Sequence, residues 1–173
     1  MTLYDFTFVV QADPDTDDFE DRFIEAGCDD VTFLLMRGAV ALSFDREAES
    51  FKDAVFSAYR QIRSTGAEIL RFEPDFLVSA TDIAERCGLT RASINLYVQG
   101  GRRQDFPAPC ARVNSRSPLW DWVEVSRWMV SNDILSEDQF RIALISRIIN
   151  AGAQLNHAVP GANFDIEAAL EVA

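Results

Sequence analysis

The residues best equipped for recognition chemistry sit together at 90–95: Thr90, Arg91, Ala92, Ser93 and Asn95. Arginine carries a planar fork of donors that matches guanine O6 and N7, and asparagine can pair bidentately with adenine. Thr90 can cap a helix that begins here. On that helix Ile94 and Tyr97 give an inward face, while Arg91, Ala92 and Asn95 lie outward with Ser93 close by. Nothing comparable points to catalysis, since no paired carboxylates in an apolar setting, Gly-rich phosphate loop or nucleophile–base pair stands out. Cys28, Cys87 and Cys110 are far apart without CxxC spacing, and His157 is the only histidine. Free thiols are therefore expected, with no metal site, no cofactor and no enzyme activity.

The elements around this helix must hold it at a surface. Thr81-Asp82 starts a preceding helix of about two turns, with Ile83 and Ala84 facing in and Gly88 supplying the left-handed residue after it. Small Ala84 and turn Gly88 allow two helices to cross closely, as in a helix–turn–helix. Gln99-Gly100-Gly101-Arg102-Arg103 then reads as a mobile basic turn suited to a phosphate backbone or a minor groove. Phe106-Pro107-Ala108-Pro109 stiffens the chain, Cys110–Asn114 is expected as a short strand, and Asn114–Pro118 as a polar turn. Arg112 and Arg116 fall in this segment. Trp120, Trp122, Val125 and Trp128 make a last helical element, with Trp120 and Trp128 read as core.

Charge is segregated along the chain. Residues 79–130 carry seven arginines against five carboxylates, a net of +2, so the rest carries −14 of the total of −12. A total of that sign argues against nucleic acid, whereas its distribution leaves one net-basic segment. No run approaches a membrane span and the N-terminus lacks signal-peptide character, so a globular cytoplasmic chain without a membrane partner is expected.

Before this segment, residues 2–11 alternate as a strand, and Asp15 or Thr16 is expected to cap a helix running to Ala26. Val31–Met36 and Ala39–Phe44 form a hairpin about Arg37-Gly38, a second helix spans Ser50–Ser64, and Ala67–Phe72 is a fourth strand. The order β-α-β-β-α-β is that of a ferredoxin-like domain. Phe6, Phe8, Phe33 and Phe44 read as its core, and the acidic run Asp13–Asp21 as a solvated helix start rather than a metal or partner surface. Glu73-Pro74-Asp75 marks the boundary. Beyond the basic segment, Ser136 and Gln139 form a capping box for a helix to about Leu155, apolar over more than half its circumference. Such a helix is buried either against a partner copy or between the chain's own domains, and Phe164–Val172 is an amphipathic tail that can dock on itself or on another protein.

The series Asp-Ile-Ala-Glu-x-x-Gly-Leu-Thr-Arg at 82–91, Phe-Pro-x-Pro at 106–109 and Leu-Trp-x-Trp-x-Glu-Val-x-x-Trp at 119–128 resembles small winged helix–turn–helix proteins of the MerR superfamily. It is most similar to the excisionase and AlpA-like regulators, whose wing carries a Phe-Pro-x-Pro step before a tryptophan-bearing helix. The resemblance covers about a third of the chain. It implies that Arg91, Ala92 and Asn95 lie in the major groove and that Arg102 and Arg103 sit on the wing. The whole chain also resembles bacterial DNA-binding proteins with an N-terminal βαββαβ domain.

The expected architecture is therefore α+β. A ferredoxin-like domain at 1–74 precedes a winged helix–turn–helix at 75–131 and a C-terminal helix and tail at 132–173 that dimerises or docks a partner. The expected function is sequence-specific binding of double-stranded DNA by a dimeric transcriptional repressor. Thr90, Arg91, Ala92, Ser93 and Asn95 would face the major groove, and Arg102, Arg103, Arg112 and Arg116 the backbone. The alternative is an antitoxin or immunity-type protein whose acidic surface or tail covers a basic partner.

Overall fold

The structure is a computed structural model that describes residues 1–173 apart from Asp17, Arg37, Gly38, Arg102, Pro160, Ala173 and the side chain of Met36. The fold is mixed α+β and divides into two compact units, residues 1–74 with 148–173, and residues 75–147. Among the described residues no helix is long and apolar enough to cross a membrane.

Unit 1 is built on strand β1 (Thr2–Gln11), helix α1 (Phe19–Glu25), strands β2 (Val31–Met36) and β3 (Ala39–Ala48), helix α2 (Phe51–Ser64) and strand β4 (Glu68–Glu73). The sheet runs β2-β3-β1-β4 with every neighbouring pair antiparallel. Alternation along β1 buries Phe6, Phe8 and Val10 and leaves the intervening residues more open. Phe6 stacks on Phe44 at 5.3 Å and Phe8 meets Phe72 at 4.8 Å, so the strand phenylalanines form one aromatic core. Phe33 is only half-buried, packed on Phe19 and Phe23 of α1.

Helix α1 starts later than its sequence suggests. Neither Asp15 nor Thr16 caps it; Asp18 occupies the cap position without a side-chain cap bond. The local donors are diverted instead, because Asp13 accepts from the Asp15 amide at 3.0 Å and the Thr16 hydroxyl donates to the Asp13 carbonyl at 2.8 Å. Helix α2 begins as expected, with Ser50 accepting from the Asp53 amide. Strand β3 extends to Ala48 and brings in Arg46, which is buried. Its guanidinium holds Asp30 with two 2.7 Å bonds, donates to Ser57 at 2.9 Å and lies 5.0 Å over the Phe44 ring. Those partners offset the cost of taking the charge out of water.

In unit 2, strand β5 (Leu77–Val78) leads into helices α3 (Ala80–Arg86) and α4 (Arg91–Val98), followed by strand β6 (Trp120–Asp121) and helix α5 (Trp122–Ser131). Strand β5, too short to show in the sequence pattern, pairs antiparallel with β6, so Trp120 belongs to a strand and the helix starts one step beyond it, at Trp122 after Asp121. The expected strand at 110–114 reduces to one bridge between Ala111 and Leu119, because Arg112 adopts φ 50° and turns the chain at once. Helix α6 (Glu137–Ala158) opens on the Ser136–Gln139 box, belongs to unit 2 as far as Arg147, and continues into unit 1.

Within unit 1, Asn150 of α6 is fully buried, accepting from the Phe72 amide at 3.0 Å and donating to the Phe72 carbonyl at 2.9 Å. Both free backbone groups of an edge-strand residue are thereby satisfied. Helix α7 (Ile166–Glu171) buries Ile166 and Leu170, and Glu167 pairs with Arg60 of α2 at 3.0 Å. A Cβ on Gly152 would strike the Ile166 and Phe164 side chains, so only glycine lets the tail come this close. The apolar side of the tail is thus used inside unit 1.

Candidate nucleic-acid interface

The surface of unit 2 is set by the packing beneath it. Helix α3 is held by a reciprocal capping box, in which Ser79 accepts from the Asp82 amide and the Asp82 carboxylate accepts from the Ser79 amide at 2.7 Å. Ile83 and Ala84 of α3 meet Ile94 and Tyr97 of α4 in a core with Trp120, Trp122, Val125, Trp128 and Met129. Burying Ile94 and Tyr97 fixes which side of α4 faces out. That side carries Arg91, Ala92 and Asn95, all exposed, together with Leu96 and Val98.

Thr90 and Ser93 stand differently. The Thr90 hydroxyl accepts from the Ser93 amide at 3.1 Å and lies 2.9 Å from the Ser93 hydroxyl, so both are engaged in starting the helix. Arg91 occupies the first turn. The other six described helices carry acids there: Glu20 and Asp21 in α1, Asp53 in α2, Asp82 in α3, Glu124 in α5, Glu137 and Asp138 in α6, and Glu167 in α7. Helix α4 has none. A cation at the positive end of a helix dipole is unfavourable for the fold and favourable for an anion bound outside it.

Hydrogen bonds tie several described residues of the chain after α4 to the unit. Gly100, at φ 68°, donates to Tyr97 O at 3.0 Å and Gly101 donates to Leu96 O at 2.9 Å, which closes the helix. Arg103 is exposed, yet its guanidinium donates to the Asn132 carbonyl at the end of α5. The Trp128 indole N–H donates to Gln104 O at 3.1 Å and that of Trp120 to Pro107 O at 3.0 Å. Phe106 fills the space between, stacked on Tyr97 and edge-on to Trp128. Arg103 and Asp105 both have φ 62°, a left-handed conformation that a side chain rarely adopts. Arg102 lies outside the described residues.

A second basic feature is the loop 112–118. The Ala111–Leu119 bridge closes its base, with Leu119 donating to Ala111 O at 2.9 Å. Inside it, Ser115 donates to Arg112 O at 2.8 Å, and every residue from Arg112 to Ser117 is exposed. The loop returns directly into β6, whose pairing with β5 ties it to the entrance of α3.

Ion pairing sorts the arginines of unit 2. Arg127 pairs with Glu124, Arg141 with Asp138 and Arg147 with Asp121, while Arg86 lies 5.2 Å over the Trp122 ring. Arg91, Arg112 and Arg116 form no ion pair with another described residue. The structure therefore groups Arg91, Ala92 and Asn95 on one helix side and Arg112 with Arg116 in one loop, and diverts Thr90, Ser93 and Arg103 to structural bonds. The tryptophan anchors are not apparent from the sequence, although a buried indole N–H requires an acceptor. Burial pushes the Cys87 thiol up to about 11 against the opposing pull of Arg86, so almost none of it is thiolate at neutral pH.

By sequence, unit 2 holds nine arginines against nine carboxylates, and unit 1 seven cationic side chains against nineteen carboxylates. The whole net charge of −12 thus falls on unit 1. No protein-family model, curated protein or solved structure matches this chain.

Proposed function

We propose that the chain is a sequence-specific binder of double-stranded DNA that acts as a transcriptional regulator, a cytoplasmic, non-enzymatic repressor working as a dimer. In this reading α3 and α4 are the helix–turn–helix, Arg102 and Arg103 together with loop 112–118 make the wing of a MerR-superfamily module of the excisionase and AlpA-like kind, and unit 1 is a ferredoxin-like domain. The β2-β3-β1-β4 antiparallel order with two intervening helices supports the last of these. The observation that carries the function is Arg91. Among the described helices, α4 alone opens on an exposed, unpaired cation instead of an acid, with Asn95 one turn further along its outward side. That arrangement weakens the fold locally and serves a polyanion whose bases present paired acceptors.

Selection from a pool of random duplexes with the full chain tests this directly. Recovery of a two-fold symmetric consensus is the expected result, because a dimer of such modules reads a palindrome. An unenriched pool, with no salt-sensitive retention, would overturn the proposal.

A further inference from the structure

The sheet of unit 1 has two edges, and they are finished differently. Strand β4 is closed at Phe72 by Asn150 and carries Glu68, Arg71 and Glu73 along its length. Strand β2, Val-Thr-Phe-Leu-Leu-Met, has no charge and no proline, pairs among the described residues only with β3, and runs without a bulge. Natural edges are usually blunted by one of those devices. Here Leu34 is 49% exposed and Leu35 69%.

Leu35 lies opposite Val40, on the same side of the sheet as Phe33 opposite Leu42, and both Val40 and Leu42 are buried. That side is covered at Phe33 by Phe19 and Phe23, but α1 begins only at Phe19 and leaves Leu35 open. The gap is a cleft of about 410 Å³ lined by Phe19, Phe33 and Leu35 and by the acidic residues Glu20 and Asp21.

We propose that β2 and this cleft form a strand-addition site for an extended, basic segment of another protein. A strand laid beside β2 would complete its open backbone groups, and alternate side chains of that strand would fall on the Phe33–Leu35 side, into the cleft. Charge selects the occupant. Asp13, Asp15 and Asp18 adjoin Glu20 and Asp21, and the unit carries −12 overall, so lysine and arginine are drawn in. A second copy of the chain would bring the same negative field to the same edge, which disfavours self-pairing.

The test uses the full chain and a short labelled peptide of alternating valine and lysine. Three comparisons are expected to weaken binding about tenfold or more: the same peptide N-methylated at alternate residues, a valine–glutamate copy, and the Leu35→Asp chain. The side chain of Leu35 is mostly in solvent, so its replacement leaves the core intact, and the added negative charge would by itself favour a basic peptide. Amide exchange across Val31–Leu35 should slow on binding. Equal binding of the N-methylated peptide would reduce the effect to general charge attraction and overturn the proposal. So would failure of the lysine peptide to bind, or a doubling of mass in sedimentation that Leu35→Asp abolishes, which would give the edge to a second copy. Duplex binding by unit 2 is read separately and bears on none of these outcomes.

Discussion

Arg91→Glu should move stability and DNA binding in opposite directions. The arginine now sits in the first turn of α4, the only described helix without an acid there. A charge next to a helix terminus is worth about 0.3–1 kcal/mol when exposed, so removing an unfavourable cation and adding a favourable anion should stabilise unit 2 by roughly 0.5–1.5 kcal/mol at low salt. Salt screens exposed charges, and the gain should shrink towards zero as ionic strength approaches about 1 M. The three tryptophans, Trp120, Trp122 and Trp128, all lie in unit 2, so their fluorescence in a urea titration reports that unit alone. On a selected duplex the same substitution should remove about 1–3 kcal/mol of base discrimination and add repulsion from the phosphates, for a loss of at least tenfold in affinity. Asn95→Ala, on the same outward side, should lose comparable discrimination at a different base while the tryptophan transition stays within about 0.5 kcal/mol. A lower urea midpoint for Arg91→Glu, or undiminished duplex affinity, would refute the reasoning that this cation is placed for an external anion.

Replacing Arg112 or Arg116 by alanine should weaken all duplexes alike and flatten the salt dependence by about 0.9 in log K against log salt for each phosphate no longer neutralised, measured by titration at several salt concentrations. Asn150→Leu strands the Phe72 amide and carbonyl and should cost about 2–4 kcal/mol in chemical denaturation, whereas Asn150→Asp keeps both bonds only while the introduced carboxyl is protonated. Burial raises that carboxyl's folded pKa, so the Asn150→Asp chain should be most stable below the unfolded value of about 4 and lose stability as pH rises above it. Burial likewise holds the Cys28 and Cys87 thiols at about 11 against an ordinary 9.0, which contributes stability that is present below pH 9 and fades as pH climbs towards 11. Alkylation near neutral pH should therefore mark exposed Cys110 ahead of the other two.

Elements with strong local signals were legible in the sequence. Alternation marks β1, helical spacing marks α2, and Thr90 and the Ser136–Gln139 box mark the starts of α4 and α6. Expectation and structure part where a local signal competes with a distant partner. Asp15 and Thr16 look like caps for α1 but bond back to Asp13 within their own turn. Cys110–Asn114 alternates like a strand, yet a left-handed Arg112 leaves one bridge, and Trp120 is drawn into a strand by Leu77 and Val78, more than forty residues away. Asn150 reads as an ordinary polar helix residue, because its partner is the backbone of Phe72 and a backbone group leaves no mark in the sequence. For the candidate interface, residue types and the outward side of α4 were readable. Diversion of Thr90, Ser93 and Arg103 into structural bonds depends on distances that spacing alone cannot supply.

The pairing of charges in unit 2 also sets how DNA binding should depend on copy number. With nine arginines matched by nine carboxylates, the unit has no general attraction for phosphate, and affinity must come from the cations left unpaired. Arg91, Arg112 and Arg116 are the described arginines of unit 2 that neither meet a carboxylate or a ring nor, like Arg103, bond a backbone carbonyl, and each phosphate neutralised contributes about −0.9 to the slope of log K against log salt. One copy on a duplex should then give a slope of about −3, and two copies on a palindrome about −5 to −6. Unit 1 adds repulsion that salt relieves, which makes either slope shallower and penalises non-specific sites, where no base contact compensates. A half-site duplex should thus bind with a slope near the lower figure and the full palindrome near the higher. Equal slopes on the two would mean that a single copy, rather than a two-fold pair, is the unit that reads DNA.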